Sequence, residues 1–116
     1  MTCKQALAEL IAMVEAGIWL PDLVAQIPDL RTDLTWKSYS GSLDAAKALH
    51  EAVLGPDWSI SLIFGAAHWD CDVTHYPYRD EDRRPEWDSS ADIETCPARA
   101  WLLAILRALH SMEPRA

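Results

Sequence analysis

The stretch from Trp58 to Thr74, WSISLIFGAAHWDCDVT, is two alternating runs about a central Gly65-Ala66. In the first run Trp58, Ile60, Leu62 and Phe64 alternate with Ser59 and Ser61. In the second, Ala67, Trp69, Cys71 and Val73 alternate with His68, Asp70, Asp72 and Thr74. A period of two is the signature of a half-buried strand. Gly at the first central position suits a tight II′ turn. A hairpin turning on Gly65-Ala66 would set Phe64 opposite Ala67, Leu62 opposite Trp69, Ile60 opposite Cys71 and Trp58 opposite Val73. The apolar residues then sort to one face, and Ser59, Ser61, Asp70 and Asp72 to the other. A slip of one residue would destroy that sorting. Two strands alone are marginal in water, so the Trp58/Trp69 face needs a cover.

Helices on either side are the candidates. Residues 2–16 read as a helix with Thr2 and Gln5 as a capping-box pair. Its stripe is Leu7, Leu10, Ile11 and Val14, and Gly17 is its stop. Pro21 opens a short turn through Gln26. Residues 29–41 read as a linking loop in which Trp36 and Tyr39 pin the chain to the core. Ser42 caps a second helix, with Asp44 in its first turn. Leu43, Ala46, Leu49, His50 and Val53 lie along one side, His50 as a satisfied, semi-buried histidine. The last helix starts near Thr95-Cys96-Pro97 and is apolar nearly all round. Such a helix is buried on more than one side. Trp101, Leu102, Ile105 and Leu109 are expected against the hairpin. Leu103 and Leu106 are expected against another helix or a second subunit, so a homodimer through this helix is one expectation.

The whole is read as one domain, residues 1–116, of α/β (α+β) class: an antiparallel hairpin or small sheet packed by two to three helices, in a two- or three-layer sandwich. Half of the 116 residues are hydrophobic, and the formal net charge is −8. That charge opposes direct nucleic-acid binding, which runs on Lys and Arg neutralising phosphates. Three cysteines, Cys3, Cys71 and Cys96, lack CxxC spacing and suit a reducing compartment. Cys71 is read as a small hydrophobe, and Cys96 as a structural residue at a helix start. The N-terminal run is interrupted by Glu9 and Glu15, unlike a secretory leader, and no stretch reaches transmembrane length. The host cytoplasm is the expected location.

Three blocks carry a resemblance. They are YSGSLDAAKALHEAVLGPDW (Tyr39 to Trp58), the strand WSISL, and CPARAWLLAILRAL (Cys96 to Leu109). Together they resemble a family of small phage and prophage proteins with an α/β/α sandwich domain. Its members read approximately Y-(S/T)-x-S-L-D-A-A, a spacer, G-W, a strand, then x-P-A-x-A-L-x-x-A-x-L-x-A. The resemblance covers Tyr39–Leu62 and Cys96–Leu109. At the corner where that pattern has Pro-Gly-Trp, this chain has Gly55-Pro56-Asp57-Trp58. The resemblance implies a sandwich fold and a phage origin. Its motifs are a helix cap, a corner and a terminal helix, none of them catalytic.

Residues 75–94, HYPYRDEDRRPEWDSSADIE, are rich in proline, charge and serine. They read as a long surface loop with room for a short third edge strand. Loops this long are usually functional or mobile, and the plain alternative to a binding role is a solvated, mobile loop. Tyr76, Tyr78, Asp80, Glu81, Asp82, Glu86, Trp87 and Asp88 form the candidate partner-binding set, because carboxylates interleaved with aromatics dock on Arg-rich surfaces. The rival site is His68, Asp70, Asp72 and His75 in HWDCDVTH, where His and carboxylates at alternate strand positions are the donor types of a divalent metal. The plain alternative is a solvent-facing strand.

No Gly-rich phosphate loop, nucleophile–base signature or zinc spacing is present. No cofactor is expected, and a non-catalytic role is preferred. The leading expectation is a phage or prophage accessory protein that binds another protein. Its narrower form is an inhibitor of a host defence nuclease, anti-CRISPR-like, whose acidic surface occupies a nucleic-acid-handling complex. The alternatives are a metal-dependent hydrolase or nuclease on the polar hairpin face, and a phage structural or assembly component.

Overall fold

A computed structural model describes residues 2–55, 58–65, 68–75, 88–93 and 96–112. Five helices and three strands follow in the order α1 (Cys3–Glu15), α2 (Pro21–Ala25), α3 (Thr32–Ser40), α4 (Leu43–Val53), β1 (Trp58–Gly65), β2 (His68–His75), β3 (Asp88–Ile93) and α5 (Pro97–Met112). The strands form one antiparallel sheet in the order β1-β2-β3. This is an α+β fold with the sheet packed against helices, as the sequence predicts.

The hairpin forms on the predicted strands but in a different register. Phe64 pairs with Trp69, Leu62 with Cys71, Ile60 with Val73 and Trp58 with His75. Gly65 pairs with His68, so the two-residue connection is 66–67 and not Gly65-Ala66. The shift is an even one, so the sorting of faces survives it. Cys71, Val73 and Trp58 are buried, whereas Ser59, Ser61 and Asp70 are exposed. The observed register gains an aromatic cross-strand pair, since the Phe64 and Trp69 rings lie 5.2 Å apart. Such a pair contributes about 0.5–1.5 kcal/mol beyond area burial, which Ala67 opposite Phe64 could not supply. Ile63 breaks the sorting: it stands on the polar face and is 57 % exposed. β3 is the third strand anticipated in the acidic stretch, and it pairs with β2 through Trp69/Ile93 to Thr74/Asp88.

α5 is the axis of the molecule. It packs on β2 and β3 and also on α1, α3 and α4. Its residues 98, 100–106, 108 and 109 are all buried. Leu103 and Leu106 are covered within one chain, so the apolar surface that motivated a homodimer through this helix is already spent on the chain's own fold.

The helix caps follow the predicted chemistry. Thr2 and Gln5 form the reciprocal capping box, and Ser42 Oγ accepts the Ala45 N–H at 3.1 Å. α3 departs from prediction, since residues 29–41 were expected to be a loop. It hides its core contacts behind polar residues: Thr35 and Ser38 are buried, and each satisfies its hydroxyl by donating to a carbonyl one turn back. These bonds are Thr35 to Arg31 at 2.7 Å and Ser38 to Leu34 at 2.8 Å. Two buried hydroxyls erase the apolar stripe that announces a helix. α3 stops at Gly41 (φ 119°), with Gly41 N–H on Ser38 O and Ser42 N–H on Lys37 O. That is a Schellman closure, which needs a left-handed residue.

Candidate functional site

The closure at the end of α1 sets up the most distinctive surface. Gly17 (φ 77°) donates to Val14 O and Ile18 to Met13 O, turning the chain sharply out of α1. Farther along, Leu23, Val24, Ile27 and Leu30 are buried and tie the next segment down. Ile18 and Leu20, between these anchors, are left exposed. Trp19 turns back toward α3. Its ring lies 4.9 Å from that of Tyr39 and 5.4 Å from that of Trp36, and Trp36 and Tyr39 stack at 6.1 Å.

Arg99 of α5 finishes the column from the inner side. Its guanidinium carbon sits 4.0 Å from the Tyr39 ring centre, while Nε and Nη2 both donate to Tyr39 O at 3.1 and 3.0 Å. The carbonyl lies in the last turn of α3, where such groups lack helical partners, so one side chain stacks on the ring and caps the helix. Tyr39 is therefore the packing residue that the sequence predicts. Trp36 is not: it keeps 48 % of its surface exposed. Trp19, Pro21, Thr32, Asp33 and Trp36 line an open, almost wholly apolar groove of about 580 Å³.

Asp33 is the charge at this groove. Partial desolvation raises its carboxyl pKa, but the Leu34 amide, the Arg31 guanidinium and its own amide outweigh that, so it sits below the usual 3.8. Arg31 Nη2 meets Asp33 Oδ2 at 3.1 Å with both side chains largely in solvent. Exposed pairs of this kind are worth little and exchange readily. The groove thus offers two indole surfaces and one ionised carboxylate. It can hold apolar or cationic side chains, the latter by cation–π contact.

Of the predicted partner-binding set, Tyr76, Tyr78, Asp80, Glu81, Asp82, Glu86 and Trp87 lie outside the described residues. Asp88 opens β3 opposite Thr74. On the rival metal site, Asp70 is exposed and Asp72 half-buried, each facing a strand neighbour: Asp70 pairs with Ile63 and Asp92, Asp72 with Ser61 and Ser90. His68 and His75 are placed by backbone register alone, opposite Gly65 and Trp58. Among the described residues, no three His, Cys, Asp or Glu side chains gather into a metal-holding group.

His50 has the structural role expected of it. It is buried, and its Nδ1 lies 3.1 Å from the Trp101 indole nitrogen and its Nε2 3.0 Å from Trp58 O. An indole N–H only donates, so Nδ1 is the acceptor and the ring proton is on Nε2, donating to Trp58 O. Cys71 is fully buried on the apolar face; burial first, then the Asp72 charge, push its thiol up to about 12. Cys96 stands before α5 with the Arg99 N–H on its sulfur at 3.4 Å.

The sequence reading missed the Trp19–Trp36 groove. Its only signal was two tryptophans in segments without apolar periodicity. No helix among the described residues is long and apolar enough to cross a membrane. No protein-family model matches the chain, and neither a curated protein nor a solved structure matches it.

Proposed function

We propose that this protein is a phage or prophage accessory protein that acts by binding another protein, with the Trp19–Trp36 groove as the contact. The observation that carries the binding reading is Trp36. Its ring leans at a tilt on Trp19 and stacks on Tyr39, yet it leaves 48 % of its surface in water beside an apolar groove. Tryptophan is among the residue types that dominate binding energy at interfaces. Ile18 and Leu20, the chain neighbours of Trp19, are exposed apolar residues as well. The phage origin draws on the resemblance of Tyr39–Leu62 and Cys96–Leu109.

The partner's chemistry follows from charge. A net charge of −8 and an ionised Asp33 at the groove favour a basic partner surface that inserts an apolar or arginine side chain. The narrower reading, an inhibitor that occupies a host nucleic-acid-handling complex, draws on the same charge and on the acidic residues Asp80, Glu81, Asp82, Glu86 and Asp88.

The test compares three baits in host lysate at low and moderate salt: wild type, Trp36→Ala, and Asp80, Glu81 and Asp82 all changed to Lys. The affinity for whatever wild type retains stoichiometrically is then measured with purified components. Loss of about 2 kcal/mol or more on Trp36→Ala supports the groove. Loss confined to the charge-reversed bait moves the contact to the acidic stretch. Retention by both variants sinks both forms of the reading.

A further inference from the structure

We propose that two copies of this chain pair through their β1 edges, antiparallel about a two-fold axis at Leu62, and join their sheets into one. The argument begins with the direction of the backbone groups. Trp58 O accepts from His50 of α4, and Trp58 N lies 3.5 Å from Gly55 O. Both partners are outside the sheet. Backbone groups alternate along a strand, so those of Ile60, Leu62 and Phe64 also point away from β2. The other end of the hairpin agrees. Gly65 and His68 flank the two-residue connection, which is the hydrogen-bonded position in a tight hairpin. Ile63 and Ser61 then bond to β2, and Ile60, Leu62 and Phe64 offer their N–H and C=O groups outward.

Nothing in β1 protects that edge. Edge strands are ordinarily blunted by charge, proline or a bulge. WSISLIFG has no charge and no proline, and its eight residues pair with β2 without a bulge. The apolar row is also incompletely covered. α5 lies over β2 and β3, so Cys71 and Val73 are buried while Ile60 and Leu62 are half-buried and Phe64 is 58 % exposed.

The occupant that fits is a second copy. Pairing about Leu62 sets Leu62 against Leu62 of the other copy, and Ile60 against its Phe64. Every outward group of the three residues then has a partner, and both apolar rows run on continuously over the same side. Charge separates the two edge strands by sequence: β3, DSSADI, includes two aspartates, whereas β1, WSISLIFG, has no charged residue. Across a β1–β1 seam, the Asp72 residues of the two copies stand three strand spacings apart, roughly 14 Å, beyond the Debye length of about 8 Å at physiological salt.

Sedimentation equilibrium of the intact protein, from low micromolar to near-millimolar, tests this. The expected mass rises from 13.0 kDa toward twice that value. Leu62→Arg, which puts like charges on the two-fold axis, is expected to weaken dimerisation at least about tenfold. Phe64→Lys is expected to weaken it as well; the residue is more than half exposed, so the fold gives up its contact with Trp69 and little else. Circular dichroism checks that both variants are folded. Trp36→Ala is expected to leave the dimer unchanged. A mass fixed at 13.0 kDa throughout the range overturns the proposal, as does a dimer that folded Leu62→Arg and Phe64→Lys leave intact.

Discussion

Substitution of His50 by Leu tests whether one imidazole fastens α4 to both the sheet and α5. In the native protein His50 Nε2–H donates to Trp58 O and Nδ1 accepts the Trp101 indole N–H. Leucine keeps the apolar bulk but takes away both bonds. The Trp58 carbonyl loses its imidazole donor and the indole loses its acceptor, where His50, Trp58 and Trp101 are each at least nine-tenths buried. A buried polar group deprived of its partner costs about 1–3 kcal/mol. Two such groups give about 2–5 kcal/mol, allowing for relaxation at the rim. Against a total stability of about 5–15 kcal/mol this is a severe loss, and it corresponds to a fall in Tm of about 3–6 °C per kcal/mol for a chain of this length. The assay is urea unfolding followed by far-UV circular dichroism, with an unchanged m-value as the sign that only stability moved. Trp101→Phe and the double variant complete a cycle, whose expected coupling is at least about 0.5 kcal/mol. A cost for His50→Leu below about 1 kcal/mol, with additive effects in the cycle, would refute the reasoning.

Arg99→Ala removes the paired donors to Tyr39 O and the cation over its ring; the expected cost is about 1.5–3 kcal/mol by chemical unfolding, with Arg99→Lys recovering only part of it. Gly41→Ala places a Cβ in ordinary contact with Cys96 Sγ at 3.9 Å, so the cost comes from backbone strain at φ 119° and is expected to be about 1–3 kcal/mol in the same measurement. Cys71 should resist thiol reagents in the folded protein at pH 8 and react on unfolding. Its thiol is raised from 9.0 to about 12, so its stabilising contribution is complete below pH 9. It is lost as pH rises from 9 to 12, because the unfolded state ionises first. The loss is roughly 4 kcal/mol at most, and Cys71→Ala should abolish that part of the alkaline decline.

The hairpin, the caps of α1 and α4, and the central place of α5 were legible because each rests on neighbours close in sequence or on an uninterrupted apolar pattern. The candidate groove was not. Trp19, Trp36 and Tyr39 come from three segments, and Arg99 reaches Tyr39 from sixty residues away. No local period links them. α3 was hidden because Thr35 and Ser38 bury hydroxyls that look like loop residues until their bonds to Arg31 and Leu34 are seen.

The sequence by itself determined which faces of the strands turn inward, where α1 and α4 begin, and that α5 must be surrounded. Periods of two and of 3.6 are properties of the backbone, and they act over a few residues. Tertiary structure alone decided the register of β1 on β2, because a two-residue shift keeps every face and changes only which side chains stand opposite one another, Phe64 and Trp69 among them. It alone decided that Tyr39 is buried while Trp36 is half in water. Both are aromatic residues on one short helix, and what separates them is Arg99 of α5 packing on one ring and not on the other.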